Sequence, residues 1–426
     1  MNRALARCIV GSLRVTGSLE EPLAKLVKFR RPDWERTLPW LADSGLALYL
    51  LKRASQSDLH EALPAPIRDH LRRNRASNRR RIAEMKTEFG SLNCRFKAAG
   101  VDYVVLKGFT LIPDFCPDAS LRSQYDYDYL VRPESVGLAQ RTLEAAGYSR
   151  KTRSPGFEPA GEFLFAAQPL SLPSPDEDFY GAHIPRTVEL HVSLWQTDRD
   201  MINLDVPEDA LDRKRMANWD GLCFPVLAED DSLIFQALHT FQHILSYWCR
   251  PSCFLEIAHF IAQRYSDEAF WERFRSRVGG RRQLPEIVAL VFSMAETLFG
   301  APLPSQIRVW VEANLRPTLS LWVRRYGRNW TLAPFPGSKL TLFLHREFID
   351  DPAVWREIAR SRLFPFHRPA RVAEPGGPSL TSRRKANWSQ CHFVLRRLQF
   401  HLGSLLSYGW ELPRWERLLS SSHRRY

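Results

Sequence analysis

Asp126 and Asp128 stand one residue apart in the apolar segment 125–131 (YDYDYLV). On a β-strand, side chains at i and i+2 point to the same face. Two carboxylates held that close repel unless a cation lies between them, so the pair proposes a divalent-metal site. Upstream, segment 104–108 (VVLKG) reads as a buried strand ending in Lys107 and Gly108. A glycine turn at a helix start lets a phosphate approach backbone N–H groups. Lys107 and Arg122 would add charge to the same phosphates. Either motif alone has a plain alternative, two solvated acids or a strand ending in a turn. Together within one short stretch they point to nucleotide chemistry.

Segment 187–195 (TVELHVSLW) alternates, with Val188, Leu190, Val192 and Leu194 on one face and Glu189, His191 and Ser193 on the other. Glu189 is the candidate third carboxylate, provided this strand pairs with the Asp126 strand. Otherwise it is an edge glutamate facing water. His191 shares its face and reads as a hydrogen-bonded structural residue. His239 and His243 lie at i and i+4 on one helix. Their segment, HTFQH, lacks the H-E-x-x-H signature, so they read as structural or supporting residues. Cys249 and Cys253 are four apart, but no Cys or His pair follows at a zinc-site spacing.

Several elements must position these groups. Residues 32–100 read as helical, broken at Pro64-Ala65-Pro66, with a long helix over 67–99 stopped by Gly100. Its apolar stripe is Leu71, Ile82, Met85, Phe89, Leu92 and Phe96. Arginines at 72, 73, 75, 79, 80 and 81 read as a solvated face, or as a basic groove for a polyanion. The period then changes to strand (102–107), short helix (109–115), strand (125–131) and amphipathic helix (133–146). A strand over 162–166 lies inside a Pro/Ser/Gly-rich stretch, 150–186. Helices follow over 229–245, 254–263, 270–277, 284–298, 305–314 and 391–408, with loop composition at 332–338 and 365–386.

The composition suits this reading. The chain has 426 residues, 44% hydrophobic and 12% aromatic, enough for sizeable cores. A formal charge of +13 favours polyanionic partners. Seven scattered cysteines form no disulfide framework, and no apolar run is long enough to span a bilayer. A cytoplasmic protein is the expectation.

The segment LKG, helix, R-x-x-x-D-x-D-x-L-V, then a helix ending in AAGY, resembles the uncharacterised bacterial nucleotidyltransferase family of the DNA-polymerase-beta-like superfamily. VELHVSLW, PVLAEDDSLIFQALHTFQH and FLEIAHFIA continue the likeness, which covers roughly residues 35–265. The resemblance implies an α+β fold: a small mixed β-sheet core (101–225) flanked by an N-terminal helical region (1–100) and a C-terminal one (226–426). It implies Asp126, Asp128 and Glu189 as catalytic, metal-binding acids. Lys107, Gly108, Thr110, Arg122 and Ser123 would bind the nucleotide. Mg2+ or Mn2+ would be the cofactor and an NTP, ATP among them, the substrate. The acceptor stays open between small molecule, protein and RNA. A nucleotide-binding protein with a decayed site and a toxin-like enzyme acting on tRNA ends also stay open. The sequence departs from the family pattern at Phe109, Tyr125 and Tyr127, where smaller residues are usual, and at Glu189, where Asp is common.

Overall fold

The computed structural model describes residues 1–17, 20–56, 63–151, 161–167, 180–181, 186–245, 250–335, 337–364 and 380–423. Most of the Pro/Ser/Gly-rich stretch and the first part of the 365–386 linker lie outside the described residues.

Four helices open the chain: α1 (Arg3–Ser12), α2 (Glu20–Leu26), α3 (Arg31–Asp43) and α4 (Ala47–Ser55). The 35-residue α5 (Ala65–Ala99) follows, with proline in its first turn, where the missing N–H costs nothing. Seven strands then form one mixed sheet: β1 (Tyr103–Val105), β2 (Asp126–Val131), β3 (Ser149–Lys151), β4 (Glu162–Ala166), β5 (Thr187–His191), β6 (Arg215–Trp219) and β7 (Leu222–Val226), in the order β3-β4-β5-β2-β1-β7-β6. Helix α6 (Val136–Ala145) follows β2, and the one-turn α7 (Thr197–Asp200) follows β5. Beyond the sheet come α8 (Glu229–Leu245), α9 (Ser252–Gln263) and further helices to a 44-residue C-terminal helix, Leu380–His423. No helix among the described residues is long and apolar enough to cross a membrane.

The sheet separates two cores, and the pleat of β2 assigns its side chains between them. Tyr127, Tyr129 and Val131 enter the smaller core with Met85, Phe89 and Phe96 of α5 and Leu143 of α6. Leu130 joins the larger helical core, which also holds Leu233 and Ile234 of α8 and Ile257 of α9. By the same alternation Asp126 and Asp128 face the large-core side.

Several expectations are corrected. The short helix after Lys107 is a 3-10 turn, Gly108–Leu111, and Pro113 prevents its continuation. The strand after 186 ends at His191 rather than Trp195. The C-terminal helix reaches back to Leu380 and forward to His423, so residues 380–386 are helix and not linker. It continues through Pro413. Strands β3, β6 and β7 were not expected from the sequence. The β6–β7 hairpin turns at Asp220-Gly221, both at positive φ (46° and 81°), a tight-turn signal visible in the residues themselves.

Candidate functional site

Strands β2 and β5 pair in parallel, with Asp126 opposite Thr187 and Asp128 opposite Glu189. This register puts three carboxylates on one face of two adjacent strands. Lys107, just past β1, reaches over them: its Nζ lies 3.2 Å from Asp126 Oδ2 and 3.1 Å from Asp128 Oδ1. An ammonium group thus balances the charge of the two acids. Burial would lower the Lys107 pKa, but Asp126, Asp128 and Glu189 outweigh it and raise it. Burial would raise Asp126, yet Lys107, Arg122 and Arg250 hold it at about 2.

His191, two residues along β5 from Glu189, closes the other side. Its Nε2 is 3.2 Å from Asp128 Oδ1 and 3.8 Å from Glu189 Oε2. Burial would lower its pKa, but the hydrogen bond and charge of Asp128, with Glu162 and Glu189, raise it. One ligand atom each from Asp128, Glu189 and His191 fall within 4.8 Å of one another. Asp128 is 1% exposed at its side chain, and its Oδ2 has no hydrogen-bond partner. A buried carboxylate oxygen without a donor fits an ion-binding role, because buried polar atoms are otherwise nearly always satisfied. The carboxylate oxygens of Asp128 and Glu189 suit a divalent cation of the magnesium or manganese type, with the His191 imidazole beside them as a hydrogen-bond partner of Asp128.

Gly108 has φ of +74°, and a Cβ there would lie 2.4 Å from Gln124 Nε2. Gln124 in turn donates to the Asp126 carbonyl at 3.2 Å. Thus Gln124 ties the glycine turn to the acid strand. Thr110 follows, with its buried Oγ1 lacking a hydrogen-bond partner.

Arg122 does not contact the acids. Its Nε donates to Glu256 Oε1 at 3.2 Å and Oε2 at 3.4 Å, in a pocket where both residues are buried. Tyr49 donates to the same Oε1 at 3.2 Å. Ser123 accepts from Arg250 Nη2 at its carbonyl and its hydroxyl, both at 3.1 Å. Gln124, Arg250 and Glu256 were not singled out from sequence, since each lies in a segment without a motif.

The aromatic departures have structural partners. Phe109 packs against Phe89 and Trp219 in the smaller core. Tyr127 faces that core too, its hydroxyl donating to Glu88 Oε2 at 2.7 Å. Tyr125 lies under the Arg81 guanidinium, 4.0 Å from its ring centre. Arg81 is fully buried, so it is no part of a solvated basic face. Arg68, Arg72, Arg75 and Arg79 instead line a cavity of about 250 Å³ between α4 and α5. Asn78, between them on α5, donates to the carbonyls of Ser120 and Arg122, so this helix braces the loop leading into β2.

A family model described as "Uncharacterised nucleotidyltransferase" matches residues 30–300. The match reaches past residue 265, where the resemblance read from sequence stopped, and takes in the helix Leu284–Phe299. No curated protein and no solved structure matches the chain.

Proposed function

From the premise that the chain belongs to this uncharacterised nucleotidyltransferase family, we propose that it transfers a nucleoside monophosphate from an NTP to an acceptor hydroxyl at the Asp126–Asp128–Glu189 face. The supporting observation is the β2–β5 register, which sets Asp128 beside Glu189 with Asp126 on the same face. A pair of magnesium or manganese ions held by Asp126, Asp128 and Glu189 would neutralise charge on the transferred phosphoryl and on the departing pyrophosphate.

The chain's own groups carry the rest. Lys107 exchanges its carboxylate contacts for the triphosphate, helped by the Gly108 N–H and the Thr110 hydroxyl. Arg122, fixed on Glu256, and Arg250, fixed on Ser123, supply positive field from behind. His191 donates to Asp128 and holds its carboxylate in orientation. Glu189 takes the proton of the acceptor hydroxyl. The new bond joins the acceptor oxygen to the α-phosphorus, the α–β bridging P–O bond breaks, and pyrophosphate leaves.

A polyanionic acceptor such as RNA is favoured by the four arginines lining the α4–α5 cavity. The test is incubation with each α-labelled NTP, Mg2+ or Mn2+, and cellular RNA or protein extract, followed by identification of the labelled species. Labelled acceptor with pyrophosphate release supports the transfer. NTP binding without release would mark a decayed site and count against it. RNA binding that strengthens as salt falls, with a salt dependence that becomes shallower when Arg72, Arg75 and Arg79 are neutralised, supports the RNA acceptor.

A further inference from the structure

His239 and His243 of α8 and Cys253 of α9 form a second cluster, outside the carboxylate face. One ligand atom from each lies within 4.8 Å of the others. The two imidazoles point Nε2 to Nε2 at 3.2 Å, with ring planes nearly perpendicular. Zn–N bonds of about 2.0–2.1 Å on a tetrahedral ion place two nitrogens about 3.3 Å apart, close to that spacing. We propose that His239, His243 and Cys253 bind one zinc-type ion, leaving its fourth position open.

The donor set makes the choice of ion. Two imidazoles and a thiol suit a borderline-soft transition ion, whereas magnesium prefers oxygen. The i, i+4 spacing presents both histidines from one helix face, and Cys253 comes from the first turn of the next helix. In the sequence the histidine pair precedes Cys253 instead of following it, an order that the usual zinc-site spacings lack. Burial and nearby cations keep His239 unprotonated, as a ligand must be. Loading is balanced: the Cys253 thiol loses one proton as its sulfur bonds the ion, and the imidazoles enter neutral. Lys107, Arg122 and Arg250 oppose a cation here through their field on His239. Burial and Glu256 push the Cys253 thiol up to about 11, while Arg250, Arg122 and Lys107 pull it back. The incoming ion itself therefore displaces the proton, and the thiolate then formed offsets one unit of the opposing charge.

The site would pin α8 to α9 on the side of the sheet that the carboxylates face. Gln236, one turn before His239, donates to the Leu106 carbonyl at 3.3 Å, next to Lys107. Glu256, one turn after Cys253, holds Arg122.

The test uses the full chain, freed of metal, then dialysed with zinc or cobalt(II). The expected result is one zinc per chain by elemental mass spectrometry and release of about one proton per zinc added. With cobalt the tetrahedral visible bands and a near-ultraviolet thiolate-to-cobalt band should appear. Cys253→Ser should remove the thiolate band, and His243→Gln should lower zinc affinity by tenfold or more. Asp126→Asn should keep its zinc, which separates this site from the carboxylate face whatever the transfer assay shows. The proposal is overturned if the wild-type chain retains no stoichiometric zinc and gives no thiolate band, leaving a hydrogen-bonded histidine pair only. A thiolate band that survives Cys253→Ser would also overturn it.

Discussion

At the scale of single residues, Gly108 shows how little space the site allows. Its φ of +74° suits glycine, and an added Cβ would meet the Gln124 amide at 2.4 Å. Gly108→Ala should destabilise the protein by about 1–2 kcal/mol from backbone strain alone, with a further loss from the clash. Gln124→Ala in the same chain should recover the clash and leave the strain. Urea denaturation of the single and double variants measures both parts. Recovery of full stability in the double variant would show that backbone conformation plays no part. The acids at 126 and 128 were legible because two carboxylates on an apolar strand have few uses. Gln124 and Arg250 were not, because a lone amide or guanidinium carries no periodic signal.

At the scale of elements, the site depends on helices meeting strands. Arg122 leaves the β2 approach loop to pair with Glu256 on α9, with both side chains buried. Removing one partner of a buried pair strands the other's charge, at a cost of about 3–5 kcal/mol. Glu256→Gln should therefore destabilise by that order, read from the denaturation midpoint. A loss below about 1 kcal/mol would mean that Arg122 finds another partner. The strong strands and helices were readable from period: β4, α8 and the helix Ser305–Asn314 begin and end where the residues predict. Three-residue β3 was too short to show a period, and the β6 residues are largely exposed. Such strands form because the neighbouring edge offers backbone partners, information that a window of local sequence lacks. The β2–β5 pairing is of the same kind: each strand was legible, their register was not.

At the scale of the whole molecule, the helical regions carry buried histidines that acid will charge. His345 is 2% exposed, its Nε2 2.7 Å from the Asp200 carbonyl. Burial, with the charge of Arg362, lowers its pKa to about 4. The unfolded chain holds a proton there below about 6.5, and the folded chain resists it until about 4. More protons bind the unfolded state in that window, so stability falls as pH drops from about 6.5 to 4. At 1.36 kcal/mol per unit the term is of order 3 kcal/mol. Denaturation midpoints across that range should fall for the wild type and fall less for His345→Gln. An equal slope in both would assign the acid sensitivity elsewhere, for instance to His259, also lowered to about 4 by burial.

The whole arrangement, a mixed sheet with one face given to a large helical core and the acids on its central strands β2 and β5, serves a single reaction in this account. The most direct measurement compares pyrophosphate release and labelled acceptor for the wild type and Asp126→Asn, at saturating NTP and Mn2+ or Mg2+. Loss of one metal-binding carboxylate should lower the rate roughly a thousandfold, at ~1.4 kcal/mol per decade, with the far-ultraviolet circular dichroism unchanged. Wild-type transfer by Asp126→Asn would contradict the account.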